Sequence, residues 1–261
     1  MRSERWWLMG TSLVILTAAW WTTFFPVLAF VALAPAIAWF MASVDGSADA
    51  SPDPGHAERI LLLFGLVFIG SAFVRGDSPF DAAVWAVGYA SPFALFAFVR
   101  SSLGHRIGVL PLALAWMTVE YAFLKLQWPA RQWFLADLLQ EQGKWTLWFG
   151  THGYLSASVW LLVTNLVAWA AFFRERRSLP FAVLLVVAVA VPVGIGYFLK
   201  PATEVIARVD MLDYYATGKA TGLYADRGEW LARTAAWVTV LMLLIALVKS
   251  RTAKKENRKT K

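Results

Sequence analysis

The sequence predicts an all-α polytopic membrane protein with eight transmembrane helices and no soluble catalytic domain. Of its 261 residues 59% are hydrophobic, and the mean hydropathy is +0.56. Apolar runs of about 20 residues recur along the chain, the length that a helix needs to cross a hydrocarbon core of roughly 30 Å. We predict spans at 6–22, 25–44, 57–74, 80–99, 107–126, 154–173, 179–199 and 231–248.

The first two spans are the least separated, because only Thr22, Thr23 and Pro26 interrupt one apolar run. A single long helix through this region is therefore an alternative. The run carries no small-residue cleavage site followed by a polar stretch, so we expect a retained first helix rather than a removable signal peptide. Between spans two and three, residues 45–56 are rich in Gly, Ser, Ala, Asp and Pro, which indicates a flexible linker.

The charge distribution determines the orientation of the spans. With eight spans, one side of the membrane holds the N-terminus, the loops at 45–56, 100–106 and 174–178, and the tail. Together with Glu58 and Arg59, this side carries 15 of the 24 Lys and Arg residues and 7 of the 17 acidic residues. Its net charge is therefore +8, against −1 on the other side. Because positive loops face the cytoplasm, we expect a multi-pass protein with both termini cytoplasmic.

The location of the basic residues and the absence of cysteine argue against several functions. Seven Lys and Arg residues lie in the tail 249–261, a pattern typical of a stop-transfer anchor, and we expect no nucleic-acid partner. The chain has no cysteine, which excludes disulfides, thiolate metal sites and cysteine nucleophiles. With three histidines and no ligand spacing, we expect no metal and no cofactor.

An outer segment between spans five and six, residues 127–153, is rich in tryptophan. Indole rings favour the headgroup layer, because the ring is apolar and its N–H is polar. Residues 131–142 are expected to form a short helix on the outer membrane surface. Two interpretations stay open: an ordinary aromatic belt, or the rim of a lipid-entry site. The tryptophans are Trp128, Trp133, Trp145 and Trp148. The side chains expected to face lipid are Trp133, Phe134, Leu138 and Leu139.

Glu120 is the one carboxylate well inside a predicted span. Burying a charge in hydrocarbon costs several kcal/mol, so such residues face protein or water and are functional candidates. Since Glu120 lies near the outer end of its span, it could reach water or pair with Lys125. A polar contact between packed helices is the structural alternative.

Other polar residues have weaker functional interpretations. His152 could act as a base at the membrane surface, although an interfacial position without chemistry also explains it. Asn165 is expected to hydrogen-bond across helices. Arg227 and Arg233 could contact lipid phosphate, or serve as anchors flanking a span. Tyr214, Tyr215 and Tyr224 are expected to pack the last outer loop against the bilayer surface.

Several short motifs follow one another in a definite order. Near the start are Phe25-Pro26 and the turn Leu33-Ala34-Pro35, and span five carries Trp116, Glu120 and Tyr121. The outer segment contains Gln127-Trp128-Pro129 and then Gly150-Thr-His152-Gly153-Tyr154-Leu-Ser156, leading into a helix with Asn165. Before the last span stands Thr221-Gly-Leu-Tyr224-Ala-Asp-Arg227-Gly228-Glu-Trp230. In this order the motifs resemble apolipoprotein N-acyltransferase, the bacterial inner-membrane family that adds the third acyl chain to lipoproteins.

The resemblance covers the transmembrane part only. In that family a periplasmic nitrilase-like domain of roughly two hundred residues, enough for a core of its own, lies between spans seven and eight. It carries a Glu-Lys-Cys triad, which implies a ping-pong reaction through an acyl-cysteine thioester. Here the interval 200–229 has thirty residues, too few for such a domain. Lys200, Glu204 and Lys219 are present but no cysteine is, so we assign no catalytic residue.

We therefore expect four regions: a seven-helix platform at 1–199, a short periplasmic loop at 200–230, an eighth helix at 231–248 and a basic cytoplasmic tail at 249–261. The resemblance implies a catalytically inactive inner-membrane protein that binds phospholipid or lipoprotein acyl chains, or is a partner subunit of another envelope protein. The alternative is an acyltransferase that uses Glu120, His152 or a Tyr hydroxyl, or a catalytic domain supplied in trans. Natural or engineered loss of the domain is a third account. The expected lipid-binding residues are Glu120, Trp128, Trp133, Trp145, Trp148, His152, Tyr154 and Arg227.

Overall fold

The structure is a computed structural model that describes residues 6–21, 26–45, 56–104, 108–126, 134–136, 138, 154–173, 178–198 and 223–259. These residues form eight α-helices and the 3-10 helix Pro26–Phe30, with 3-10 geometry also at residues 135, 136 and 138, and none of them lies in a strand. The prediction of an all-helical fold is confirmed for this part of the chain. The helices are α1 (Trp7–Trp21), the 3-10 helix Pro26–Phe30, α2 (Ala34–Asp45), α3 (His56–Val74), α4 (Pro79–Leu103), α5 (Leu110–Leu126), α6 (Tyr154–Phe172), α7 (Ser178–Phe198) and α8 (Leu223–Lys259).

Two helical stretches among the described residues are long and apolar enough to cross a membrane. They are α4 and the part Trp230–Thr252 of α8. The remaining apolar stretches are shorter: Trp7–Trp20, Leu28–Val44, Arg59–Val74, Ala157–Phe172 and Leu179–Val191. Helix α8 begins inside the expected outer loop and continues into the expected tail. Lys, Arg and Glu are good helix formers. The helix therefore continues beyond the apolar run from which the eighth span was predicted.

Six helices close into a ring, which we call the six-helix ring. Around it, α1 packs on α3, α3 on α4, α4 on α5, α5 on α6, α6 on α2 and α2 on α1. Helix α7 packs mainly on α6, and α8 packs on α4 and α5, so both lie outside the ring. Because α1 and α2 pack side by side, the alternative of one long helix through the first two spans is wrong.

Aromatic side chains fill the centre of the six-helix ring. Phe40 of α2 lies edge-on to Phe64 of α3 and Phe93 of α4, with ring centroids 5.9 and 5.4 Å apart. Phe64 and Phe93 stack on each other at 3.7 Å, and Trp116 of α5 meets Phe93 edge-on at 6.0 Å. These rings are fully buried. Offset and edge-to-face pairs of this kind add to the packing of the helices that carry them.

Helix α4 contains a proline, and a nearby side chain replaces the backbone hydrogen bond that this proline removes. Pro92 lies inside the helix and has no N–H, so the carbonyl of Gly88 loses its usual donor four residues later. The Ser91 hydroxyl donates to that carbonyl at 2.7 Å. Gly88 also has to be a glycine, because a Cβ there would overlap the Phe123 ring of α5. The proline and the close α4–α5 contact therefore lie within one turn of α4.

A second freed carbonyl joins α6 to α7. Pro192 gives no N–H to the carbonyl of Ala188, four residues earlier in α7. The indole N–H of Trp160 in α6 donates to that carbonyl at 2.8 Å. The proline thus creates an acceptor in α7 that a side chain of the neighbouring helix uses.

Candidate functional site

Glu120 lies on α5 within six residues of its end at Leu126 and has no exposed surface. Its Oε1 accepts three hydrogen bonds, from three different parts of the chain. The Tyr89 hydroxyl of α4 donates at 3.2 Å, the Trp116 indole N–H of α5 at 3.0 Å and the backbone N–H of Leu135 at 2.9 Å. A buried acceptor that receives several hydrogen bonds is well satisfied, and losing it would leave each donor unpaired. Glu120 therefore holds α4, α5 and the segment after α5 together.

The surroundings of Glu120 are aromatic. Trp116 and Tyr89 lie with ring centroids 4.8 Å apart, and Trp85 stacks on Tyr89 at 5.7 Å. Phe123 meets Trp85 edge-on at 4.7 Å. In a shell this apolar, a carboxylate is costly unless hydrogen bonds compensate it. The two donors from Tyr89 and Trp116 are themselves part of the aromatic shell.

The described residues of the segment 134–138, which are 134–136 and 138, pack inward against the helices. The backbone N–H of Ala136 donates to the Ser158 hydroxyl of α6 at 3.0 Å, beside the bond from Leu135 to Glu120. Phe134 is fully buried and Leu138 almost so. Phe134 packs in a cluster that joins α5, α6 and α8. Residues of that cluster are Met117, Leu124, Leu155, Ala157, Ala232 and Ala235.

This placement corrects two suggestions made from the sequence. The expectation that Phe134 and Leu138 face lipid is wrong, because Glu120 and Ser158 bind the intervening backbone and turn both side chains into the protein. The suggestion that Glu120 reaches water is also wrong, since its side chain has no exposed surface. The Lys125 ammonium lies 5.9 Å over the Tyr121 ring. The helix-packing interpretation of Glu120 is the one that fits its contacts.

Asn165 of α6 forms a second buried polar node. Its Oδ1 accepts the backbone N–H of Leu33 at 2.8 Å, and its Nδ2 donates to the carbonyls of Ala29 and Leu161 at 2.9 and 2.8 Å. The predicted hydrogen bond across helices is confirmed. In a continuous α-helix, the Leu33 N–H would donate directly to the Ala29 carbonyl. The Asn165 carboxamide instead bridges these two groups, so it sits inside the break between the 3-10 helix and α2.

The first turn of α2 is completed from another helix as well. The backbone N–H of Ala36, in the turn where helix donors lack intrahelical partners, donates to the Ser12 hydroxyl of α1 at 2.8 Å. Pro35 has no N–H to satisfy. Side chains of α1 and α6 therefore accept hydrogen bonds from backbone N–H groups at the start of α2. In an isolated helix an N-cap residue has this role.

The other predicted binding residues are only partly placed. Helix α6 begins at Tyr154, and α8 contains Arg227 in its first turns, but their side chains lie outside the described part of the structure. The remaining five lie outside the described residues altogether: Trp128, Trp133, Trp145, Trp148 and His152. Among the described residues, no group of three His, Cys, Asp or Glu side chains could hold a metal ion.

Three groups were not anticipated from sequence: the Tyr89 hydroxyl and the Leu135 N–H, which donate to Glu120, and the Ser158 hydroxyl, which accepts from Ala136. Only the pair Trp116 and Glu120 carried a signal, since residues four apart share one face of a helix.

Comparisons of the chain with protein-family models, with curated proteins and with solved structures find no match.

Proposed function

We propose that the chain is a multi-pass protein of the bacterial inner membrane, with both termini cytoplasmic and all eight helices within the bilayer. The apolar outward surface of α7 and α8 is the observation that carries this proposal. Leu179 of α7 is 74% exposed and Trp237 of α8 is 70% exposed, within rows of exposed Val, Leu and Ile. Soluble monomers rarely expose apolar patches this continuous.

The buried polar groups support the same proposal. Ser12, Asn165 and Thr239 are turned into the helix packing, and Thr239 of α8 receives a hydrogen bond from Thr118 of α5 at 3.1 Å. The broken backbone at residues 29–33 and the two proline-freed carbonyls have partners within the protein. Hydrocarbon offers no water to pair with such groups, so membrane proteins satisfy them internally.

Helix length sets a condition on this proposal. Helix α1 has 15 residues, about 22 Å at 1.5 Å per residue, which is less than the hydrocarbon thickness. Short spans are accommodated by local thinning of the bilayer or by flanking residues that reach the interface. For the second span, the 3-10 helix Pro26–Phe30 and the turn after it lengthen α2.

Within the membrane, we infer a platform for lipid or lipoprotein acyl chains that resembles the transmembrane part of apolipoprotein N-acyltransferases and performs no catalysis itself. The motif order and the missing cysteine support this inference. The contacts of Glu120 favour it too, because a fully buried carboxylate occupied by three donors suits a structural anchor better than a base that must reach substrate. The anchored segment 134–138 adjoins the tryptophan-rich stretch expected to bind lipid.

The first test concerns topology. Reporter fusions after Arg177 and after Lys261 are expected to be active in the cytoplasm, and a fusion after Thr217 in the periplasm, because the basic loops stay on the cytoplasmic side. Comparing a cytoplasm-active with a periplasm-active reporter at each point makes every fusion its own control. A C-terminus found in the periplasm would overturn the eight-span topology and the resemblance with it.

The second test concerns lipid binding and catalysis. The purified chain is expected to retain phospholipid in native mass spectrometry, yet to form no hydroxylamine-sensitive acyl adduct and to convert no diacylated lipoprotein to the triacylated form. Replacing Trp133 and Trp148 together by alanine is expected to weaken lipid retention, since aromatic rings supply much contact area.

The control is Trp237→Ala, which removes an exposed indole from the outward face of α8 and should leave retention unchanged. Turnover by the isolated chain would favour the acyltransferase alternative. Retention unchanged by the double substitution would mean that these tryptophans form an ordinary aromatic belt.

A further inference from the structure

Helix α8 continues for about three turns past its apolar part. The apolar run ends at Val248, whereas the helix ends at Lys259. Pro and Gly are common causes of a kink, and neither occurs between Trp230 and Lys259. The Thr252 hydroxyl donates to the Val248 carbonyl at 2.9 Å, across the end of the apolar run. In the proposed membrane location, residues 249–259 therefore leave the bilayer along the axis of the transmembrane part. We call them the α8 extension.

Most cations of the α8 extension share one face of the helix. Their positions are i, i+3, i+4, i+7 and i+8, the spacing of a single helical face. At 3.6 residues per turn they fall within an arc of about 140° and extend over about 12 Å of the axis. The opposite side carries one cation and one acid, Lys249 and Glu256. The five positions, which we call the basic stripe, are Arg251, Lys254, Lys255, Arg258 and Lys259.

The charge of the basic stripe indicates an anionic partner. Like charges four residues apart on a helix repel each other, and the stripe contains three such pairs, which begin at Arg251, Lys254 and Lys255. Anionic groups alongside the helix would replace this repulsion by attraction. Arg251 is exposed, as are its neighbours Ser250 and Thr252. The stripe therefore begins at a point that the rest of the protein leaves accessible.

The direction of the basic stripe favours a protein partner over the membrane surface. The stripe is parallel to the helix axis, and transmembrane helices tilt from the membrane normal by about 20° on average. The headgroup layer is about 5–8 Å thick, whereas Lys259 stands about 16 Å beyond Val248 at 1.5 Å per residue. Headgroups thus lie level with the start of the stripe only, but a second helix alongside can meet all five positions.

We propose that the basic stripe binds an acidic helix of a cytoplasmic protein, one that carries Glu or Asp at the same i, i+3, i+4 and i+7 spacing. The inference rests on the proposed topology, which places the α8 extension in the cytoplasm. Rows of opposite charge on neighbouring helices determine partner choice and orientation. Because the ion pairs formed are exposed, the contact is weak and becomes weaker as the salt concentration rises.

Peptide binding to the full chain in nanodiscs tests the proposal. The probe is a fluorescein-labelled, alanine-rich peptide with glutamates at i, i+3, i+4, i+7 and i+8, and fluorescence anisotropy gives its affinity. Phosphatidylcholine nanodiscs leave both membrane sides accessible, so the measurement does not depend on topology. The parent is expected to bind the peptide about fivefold more tightly than a rearranged variant in which two cations move to the opposite side. This variant carries Ala253→Lys, Lys254→Ala, Lys255→Asn and Asn257→Lys.

The rearranged variant keeps the composition and net charge of the parent, so it separates the stripe from charge alone. A peptide of the same composition, with its glutamates spaced evenly around the helix, should bind both proteins alike. Equal affinity of the striped peptide for the two proteins would overturn the inference.

The membrane surface is the competing partner, and a second lipid composition tests it. The preference for the parent should persist when about a third of the lipid is phosphatidylglycerol, because the added surface charge repels the peptide from both proteins equally. Disappearance of the preference would show that anionic lipid covers the stripe, and would overturn the inference. A periplasmic C-terminus in the reporter fusions would overturn the topology and the inference together.

Discussion

The variant Asn165→Leu is expected to unfold at a temperature at least about 5 °C below that of the parent protein, measured by thermal denaturation in detergent. Leucine fits the space but leaves the Leu33 N–H and the Ala29 carbonyl without the carboxamide that joins them. Each buried polar group left unpaired costs about 1–3 kcal/mol, and each kcal/mol moves the midpoint by roughly 2–4 °C for a domain of this size.

Thr164→Val is the matched control, since Thr164 is the adjacent buried residue of α6 and its hydroxyl donates only within its own helix, to the Leu161 carbonyl. Its midpoint should stay within about 2 °C of the parent, because a single intrahelical bond contributes little net stability. Equal losses for Asn165→Leu and Thr164→Val would show that the carboxamide does not hold the break open.

Glu120→Ala is expected to release the segment 134–138 from the helices as well as to lower stability. Alanine removes the acceptor of three donors, and each buried donor left unpaired costs about 1–3 kcal/mol. The absence of cysteine makes the release easy to measure, because a single Leu138→Cys substitution provides the only thiol. Its reaction with a water-soluble maleimide should be slow in the parent, where Leu138 is nearly buried, and at least about tenfold faster with Glu120→Ala.

Glu120→Gln separates charge from shape, since its amide oxygen can still accept from Tyr89, Trp116 and Leu135. We expect it to keep the slow labelling of position 138 and most of the stability. Ser158→Ala should accelerate labelling less than Glu120→Ala, because it removes only the acceptor of Ala136. Asp81→Asn, which changes a carboxylate that accepts a hydrogen bond from Ser78 at the start of α4, should have no effect. Labelling unchanged by Glu120→Ala would refute the anchoring role.

The helix positions were largely predictable because long apolar runs end at charged residues, Gly or Pro. The predicted span 57–74 and α3 (His56–Val74) differ by one residue, and the same is true of 179–199 and α7 (Ser178–Phe198). The break in the second span was harder to predict from the sequence. The turn before Pro35 was visible in the sequence, but the side chain that inserts into it stands 132 residues further on, a tertiary contact that no local pattern contains.

The acceptor of the candidate site could be predicted from the sequence, but its hydrogen-bond donors could not. A lone carboxylate inside an apolar run singles out Glu120. The donor from Leu135 is a backbone N–H, which every residue but proline possesses, so its use carries no signal in the sequence. The direction of Phe134 and Leu138 was missed for a related reason. An amphipathic pattern shows which side chains share a face, but not whether that face meets lipid or the protein.

The placement of α7 and α8 outside the six-helix ring has a consequence for changes in chain length. Among the described helices, α8 is the next after α7, and residues 199–222 lie between them in the sequence. Each helix attaches to the ring through its own neighbours, α7 through α6 and α8 through α4 and α5. A change in the length of chain between Phe198 and Leu223 would leave the packing of α1 to α6 on one another intact, because neither α7 nor α8 takes part in it. The six-helix ring is therefore expected to tolerate insertions or deletions at this position, since that tolerance depends on the contacts that the affected backbone makes.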